Sequence, residues 1–230
     1  MYKNIQVIAF DADDTLWVNE TYFREAETKF AKLLAAYETE NKIDQELFIT
    51  EIKNLPIYGY GVKGFMLSMV ESALELSNYK ISQQKIAQIL EIGKEMLEKP
   101  IELLDGVEKV LKALQGKYKL IVATKGDLLD QERKLEKSGL LQYFHHIEVM
   151  TEKKEADYQK LISHLDIESN QLLMIGNSLK SDILPLVNIG ASAIHVPFHT
   201  TWAHEEVANN QQSTTDYKTV KKISEILSIL

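Results

Sequence analysis

The chain has 230 residues, 45% hydrophobic and 26% charged, and its 34 acidic against 26 basic residues give a net charge of −8. Against a typical domain length of about 150 residues, that fits one large domain or one domain carrying an insert, with enough apolar material to fold without a disulfide or metal staple. The absence of cysteine excludes a disulfide scaffold, a thiolate metal site and a cysteine nucleophile. The acidic balance excludes the basic footprint of a general nucleic-acid binder. Apolar runs of a few residues fall short of the roughly 18 that a membrane span requires, and the N-terminal residues lack the apolar core and cleavage site of a signal peptide. The expectation is a cytoplasmic protein with no membrane and no nucleic-acid polymer among its partners.

Short runs rich in branched apolar residues read as buried strands at 5–10, 120–123, 172–175 and 193–196, with a weaker one at 147–150. Helical stretches separate them. Asp105 and Glu108 form a capping-box pattern ahead of Val107, Val110, Leu111 and Leu114, and Pro185 predicts a helix that begins near Ser181 or Asp182. Strands alternating with helices predict an α/β fold, a parallel sheet covered by helices on both faces. Residues 18–99 break this rhythm with several amphipathic helical stretches, Phe23 to Tyr37, Phe65 to Ala73 and Ile86 to Leu97 among them, and a shorter one around Leu47, Phe48 and Ile52. They predict an all-helical insert, residues 18–99, in a sheet domain made of 1–17 and 100–230, with Pro100 at the boundary. Polar residues 209–216 read as a surface loop, and residues 219–230 as a closing helix.

Chemistry concentrates where these strands end. Asp11 and Asp13 follow the first strand, at the edge where ligands of parallel sheets bind. Two carboxylates so close repel unless a cation or a shared proton intervenes, and a hard ion such as Mg²⁺ suits an all-oxygen site that also takes a phosphate. One carboxylate can serve as nucleophile and the other as acid and base; the plain alternative is a solvated acidic turn in which Asp14 caps local backbone. Thr124, Lys125 and Gly126 end the second strand, where a hydroxyl and free N–H groups can hold phosphate oxygens. Lys153 and Lys154 follow the 147–150 strand, and either could neutralise a phosphate. Asn177 and Asp182 offer oxygen ligands after the 172–175 strand, with Ser178 and Ser181 as hydrogen-bonding partners.

With these four segments in order over residues 4–16 and 101–200, the sequence resembles the haloacid dehalogenase superfamily. The resemblance implies a Rossmann-like core and a Mg²⁺-dependent phosphohydrolase. Asp11 would be the nucleophile and a metal ligand, and Asp13 the general acid/base whose backbone carbonyl also faces the metal. Thr124 and the Lys125 amide would hold the phosphoryl group, Lys153 would orient nucleophile and phosphate, and Asn177 and Asp182 would complete the metal site. The insert looks like the family's type-C1 helical cap. Asn177 departs from the family's usual aspartate, which removes a negative charge and implies weaker or water-mediated Mg²⁺ binding; Asp14 stands for a more frequent glycine. The distance to Tyr158 matches the family pattern from Lys153 better than from Lys154. Asp13 separates this chain from dehalogenases proper, which resemble it in fold but lack an acid there.

The expected substrate is a small phosphate monoester, a nucleotide, sugar phosphate or similar metabolite, turned over by a monomer or homodimer. A phosphomutase, or a weakly active phosphometabolite-binding regulator, remains the alternative. Within the insert, Tyr60 or Lys63 in the glycine-rich stretch 57–64 could touch substrate, or the glycines could simply build a turn. His195, His199 and His204, beside Trp202, lack a familiar zinc spacing and read as packing or a pocket wall.

Overall fold

The computed structural model describes residues 2–207 and 217–230; the loop expected at 209–216 lies outside them. The described chain divides into two compact units, one comprising Met1–Glu20, Ile101–Lys125 and Gln131–Leu230, the other Thr21–Pro100 with Gly126–Asp130.

The first unit is built on six parallel strands: β1 (Val7–Phe10), β2 (Lys119–Lys125), β3 (Ile147–Met150), β4 (Leu172–Gly176), β5 (Ser192–His195) and β6 (Lys218–Thr219), in the order β3-β2-β1-β4-β5-β6. Period-two alternation splits the strand side chains between two cores. Ile8, Phe10, Leu120, Val122, Leu173, Ile175 and Ile194 pack against α5 (Val107–Leu114), Leu135 of α6 (Leu128–Lys137) and the C-terminal segment. Val7, Ala9, Ile121, Ala123, Leu172, Met174 and Ala193 pack against α7 (Glu155–Leu165) and α8 (Leu184–Asn188). The fold is therefore the expected Rossmann-like α/β sheet with helices on both faces. β1 is central: the chain runs outward through β2 to β3, then crosses to β4 on the other side of β1 and on to β5 and β6, so the strand order reverses between β1 and β4, the place where ligands of such sheets bind.

In the second unit, α1 (Glu20–Leu34), α2 (Glu40–Tyr58), α3 (Val62–Leu76) and α4 (Gln83–Glu98) bury one apolar face each, with Phe30, Leu34, Leu47, Met69 and Ile89 among the enclosed side chains. The stretch around Leu47, Phe48 and Ile52 belongs to the 19-residue α2, not to a short helix. Gly59 (φ +71°) and Gly61 (φ +106°) make the α2–α3 turn, in conformations that side chains disfavour.

Three local expectations are corrected. Gly106, at φ +84°, stands before α5 without a side-chain cap, so the helix starts one residue later than a box on Asp105 and Glu108 requires. Asp105 instead turns outward, 3.9 Å from Lys222. After β4 a π-helical turn, Leu179–Ile183, comes first, with the Ser178 hydroxyl accepting the Ser181 N–H at 3.0 Å, so that α8 starts only at Leu184, not near Ser181 or Asp182. Pro185 falls in the first turn of α8; it has no N–H for the Ser181 carbonyl, and the Tyr158 hydroxyl donates to that carbonyl at 2.9 Å instead. The C-terminal segment is not an α-helix throughout: β6 comes first and Ile223–Ser228 form a 3₁₀ helix. Its buried residues Val220, Ile223 and Ile226 recur every third position, which is the 3₁₀ period.

Candidate active site

The chain leaves β1 in a tight loop, and three acids within four residues take three different surroundings. Asp11 continues the strand pairing, its N–H donating to the Ile175 carbonyl at 2.9 Å. Its carboxylate is buried; Oδ1 accepts from Lys153 Nζ at 2.6 Å and Oδ2 from the Thr15 hydroxyl at 3.1 Å. Asp13 Oδ1 accepts from Trp17 Nε1 and from Lys134 Nζ, each at 2.8 Å, and Oδ2 accepts from Gln131 Nε2 at 2.7 Å. Asp14, at φ +61°, folds back to accept the backbone N–H groups of Asn19 and Glu20. That fastens the start of α1 and is the local-capping role open to it from sequence. Burial pushes the Asp14 carboxyl up to about 8, against those two N–H groups.

Lys153 is the hub. Its ammonium donates to Asp11 Oδ1 and to Asp182 Oδ1, both at 2.6 Å, with a side chain 1% exposed. Burial opposes its charge, but the Asp11 and Asp182 carboxylates outweigh burial and hold the ammonium well above its ordinary range. Burial also pushes the Asp11 carboxyl up, to about 7, while Lys153 draws it down. Lys154 points away, 71% exposed and 4.0 Å from Glu152.

Asp182 reaches the same ammonium because the β4 loop folds over Gly176. A Cβ on Gly176 would lie 2.3 Å from Asp182 Oδ2, so only glycine lets the carboxylate rest on the strand end. Asp182 Oδ2 accepts the Ser178 N–H at 3.0 Å, and Asn177 Oδ1 lies 3.2 Å from the Thr15 hydroxyl. His195 Nε2 is 3.0 Å from the Asn177 carbonyl; the carbonyl only accepts, so Nε2 carries the proton. Burial lowers the His195 pKa and favours that neutral ring. His199 packs at a tilt against Phe198 and His204 against Trp202, and no group of three or more acidic, histidine or cysteine residues suited to a metal occurs among the described residues.

Thr124 is buried at the end of β2, two residues beyond the pairing of Phe10 with Val122, and its hydroxyl donates to the Lys125 carbonyl at 3.1 Å. The Lys125 ammonium turns to Glu205 (2.6 Å) and Ser181 (3.0 Å). Asp11, Asp13, Thr124, Lys125, Lys153, Asn177 and Asp182 thus share the sheet unit. Lys63 belongs to the helical unit, where its ammonium pairs with Asp127 at 2.9 Å.

Sequence reasoning missed Trp17, Gln131, Lys134 and Glu205. The first three are the donors to Asp13, and no local pattern marks them. Glu205 lies near the histidines already noted, yet nothing in its neighbours ties it to Lys125.

As metal ligands, the Asp11 and Asp182 carboxylates and the Asn177 amide would make an all-oxygen set, a chemistry that suits a hard cation such as Mg²⁺. The third donor is neutral, so the set carries two negative charges.

A family model described as haloacid dehalogenase-like hydrolase matches residues 5–190. The chain belongs to the haloacid dehalogenase-like hydrolases. A haloacid dehalogenase-like family hydrolase from Xanthomonas campestris is 37% identical, with a TM-score of 0.88 over 98% of this chain and 90% of that one. The HAD-hydrolase YfnB of Bacillus subtilis, whose structure was solved bound to magnesium and shows interdomain movement, shares the fold at 19% identity, with a TM-score of 0.65 over 99% of each chain. Pyrimidine 5'-nucleotidase YjjG of Escherichia coli K12 is 26% identical over 133 residues, 55% of this chain, and the match spans about half (56%) of that relative's length.

Two outcomes test the electrostatics. Lys153→Met should destabilise the metal-free fold by about 3–5 kcal/mol in urea, since it leaves two buried carboxylates unpaired. Burial acts to raise the Glu205 pKa, but Lys125 and the Ser178 and Ser181 hydroxyls hold it down to about 2. A depressed acid stabilises the fold above its ordinary pKa and loses that contribution as pH falls towards the folded value. Glu205→Gln should therefore cost on the order of 2 kcal/mol at pH 7, and the gap from wild type should narrow between about pH 4.5 and pH 2.

Proposed function

We propose that the chain is a Mg²⁺-dependent phosphomonoester hydrolase that works through an aspartyl-phosphate on Asp11, with Asp13 as general acid and base. The observation that carries this reading is the Lys153 ammonium shared at 2.6 Å by Asp11 and Asp182, with the second acid, Asp13, two residues from Asp11. An Asp11 oxygen attacks phosphorus while the bond to the leaving oxygen breaks, and Asp13 gives that oxygen its proton. Asp13 then takes a proton from water; the water oxygen attacks phosphorus, the Asp11–phosphorus bond breaks, and inorganic phosphate leaves with the Asp11 carboxylate restored. Trp17 and Lys134 occupy Oδ1 of Asp13 and Gln131 a single position on Oδ2, so Oδ2 keeps an acceptor position for the proton it would pass on.

Lys153 holds the Asp11 carboxylate in place and compensates charge on the transferring group, and Thr124 with the Lys125 amide cradles the phosphoryl oxygens. Mg²⁺, held by Asp11, Asn177, Asp182 and the Asp13 carbonyl, would screen the repulsion between the phosphate and the nucleophile. The ion in the B. subtilis relative and the all-oxygen donor set here support that assignment. The helical unit acts as a cap that selects the substrate, with Lys63 as a candidate contact. A nucleotide leads the substrate classes because the E. coli relative is a pyrimidine 5'-nucleotidase; the setting proposed is the cytoplasm.

A panel of phosphomonoesters that includes nucleoside monophosphates tests this reading. Phosphate release should require Mg²⁺, vanish in Asp11→Asn and fall about 10²- to 10⁴-fold in Asp13→Asn. Full activity in Asp11→Asn, or turnover of 2-haloacids in place of phosphate esters, would rule it out.

A further inference from the structure

Glu205 lies beyond residues 5–190, the stretch that matches the family model, yet it stands against two of the site's loops. It ends the short 3₁₀ helix Ala203–Glu205 that follows β5, and its side chain is only 12% exposed. Three donors converge on the carboxylate: Lys125 Nζ on Oε1 at 2.6 Å, and the Ser178 and Ser181 hydroxyls on Oε2 at 2.6 and 2.5 Å. Ser178 directly follows Asn177, and Ser181 directly precedes Asp182. Lys180, in the same loop, is tied to the same helix through the His204 carbonyl at 2.5 Å.

We propose that Glu205 is a positioning residue that locks the β4 loop, and with it Asn177 and Asp182, to the end of β2. A charged acceptor gives the two hydroxyls a fixed direction through short, strong hydrogen bonds. Inside the loop, Ser178 N donates to Asp182 Oδ2 and Ser181 N to Ser178 Oγ, so fixing the two serines fixes the Asp182 carboxylate. The same carboxylate draws the Lys125 ammonium aside and compensates its charge, which leaves Lys153 as the cation on Asp11. Outer partners of this kind commonly change metal affinity by about 10- to 100-fold when removed. That Asn177 and Asp182 serve a metal rests on the function proposed above; the locking of the loop does not.

The test compares wild type with Glu205→Gln by two readouts. Without metal, hydrogen exchange at amides 177–182 should quicken about tenfold in the variant, a loss of about 1.4 kcal/mol of local protection. By calorimetry, Mg²⁺ alone should bind about tenfold more weakly. If Glu205→Gln does not fold, Glu205→Gln combined with Lys125→Met leaves no buried cation unpaired and takes both readouts. Unchanged exchange at 177–182 overturns the proposal, as does faster exchange with unchanged Mg²⁺ affinity. If wild type itself binds no Mg²⁺, the proposed metal chemistry fails, and the exchange measurement alone decides whether Glu205 holds the loop.

Discussion

One ammonium group, on Lys153, sits between two carboxylates that could not otherwise remain ionised side by side in a buried place. It comes from the loop after β3, whereas Asp11 follows β1 and Asp182 follows β4. In the sheet order, β2 separates β3 from β1, so the lysine spans the end of an intervening strand to reach its partners. That fixes three loops at once. The requirement propagates: Gly176 has no side chain because the Asp182 carboxylate occupies that space, and Ser178 and Ser181 are held so that Asp182 points inward.

The two acids of the first loop are separated by environment more than by distance. Asp11 is buried with one cation and one hydroxyl; Asp13 is partly exposed and meets an indole, an amide and a second lysine. Such divergence allows two carboxylates two residues apart to take different parts, one bonding to phosphorus and the other handling protons. Asp14, the third acid, is spent on backbone. Its turn back onto the N–H groups of Asn19 and Glu20 sets where the chain leaves the sheet for the helical unit.

Much of this was legible in the sequence because it is local. Branched apolar runs that end in polar loops marked β1, β2, β4 and β5 and, more weakly, β3, and their buried alternation needs no distant contact to be read. The seven polar residues now found in the sheet unit all stand at such run ends, where chain order alone suggests a shared edge. What escaped detection depends on contacts far apart in sequence. Gln131 and Lys134 reach Asp13 from more than a hundred residues away, and Glu205 reaches Lys125 from eighty. Helix starts failed where a special backbone intervened, the left-handed Gly106 before α5 and the proline that leaves the Ser181 carbonyl to Tyr158. β6 escaped because two exposed residues carry no apolar signal.

The proposed chemistry requires that Asp11 itself becomes phosphorylated. Borohydride reduces an acyl phosphate to an alcohol, so an acid-quenched reaction treated with it, digested and analysed by mass spectrometry reports the modified residue directly. Asp11 should be converted to homoserine only when phosphomonoester and Mg²⁺ are both present. Phosphate release with Asp11 left intact, or reduction at another carboxylate, would contradict it.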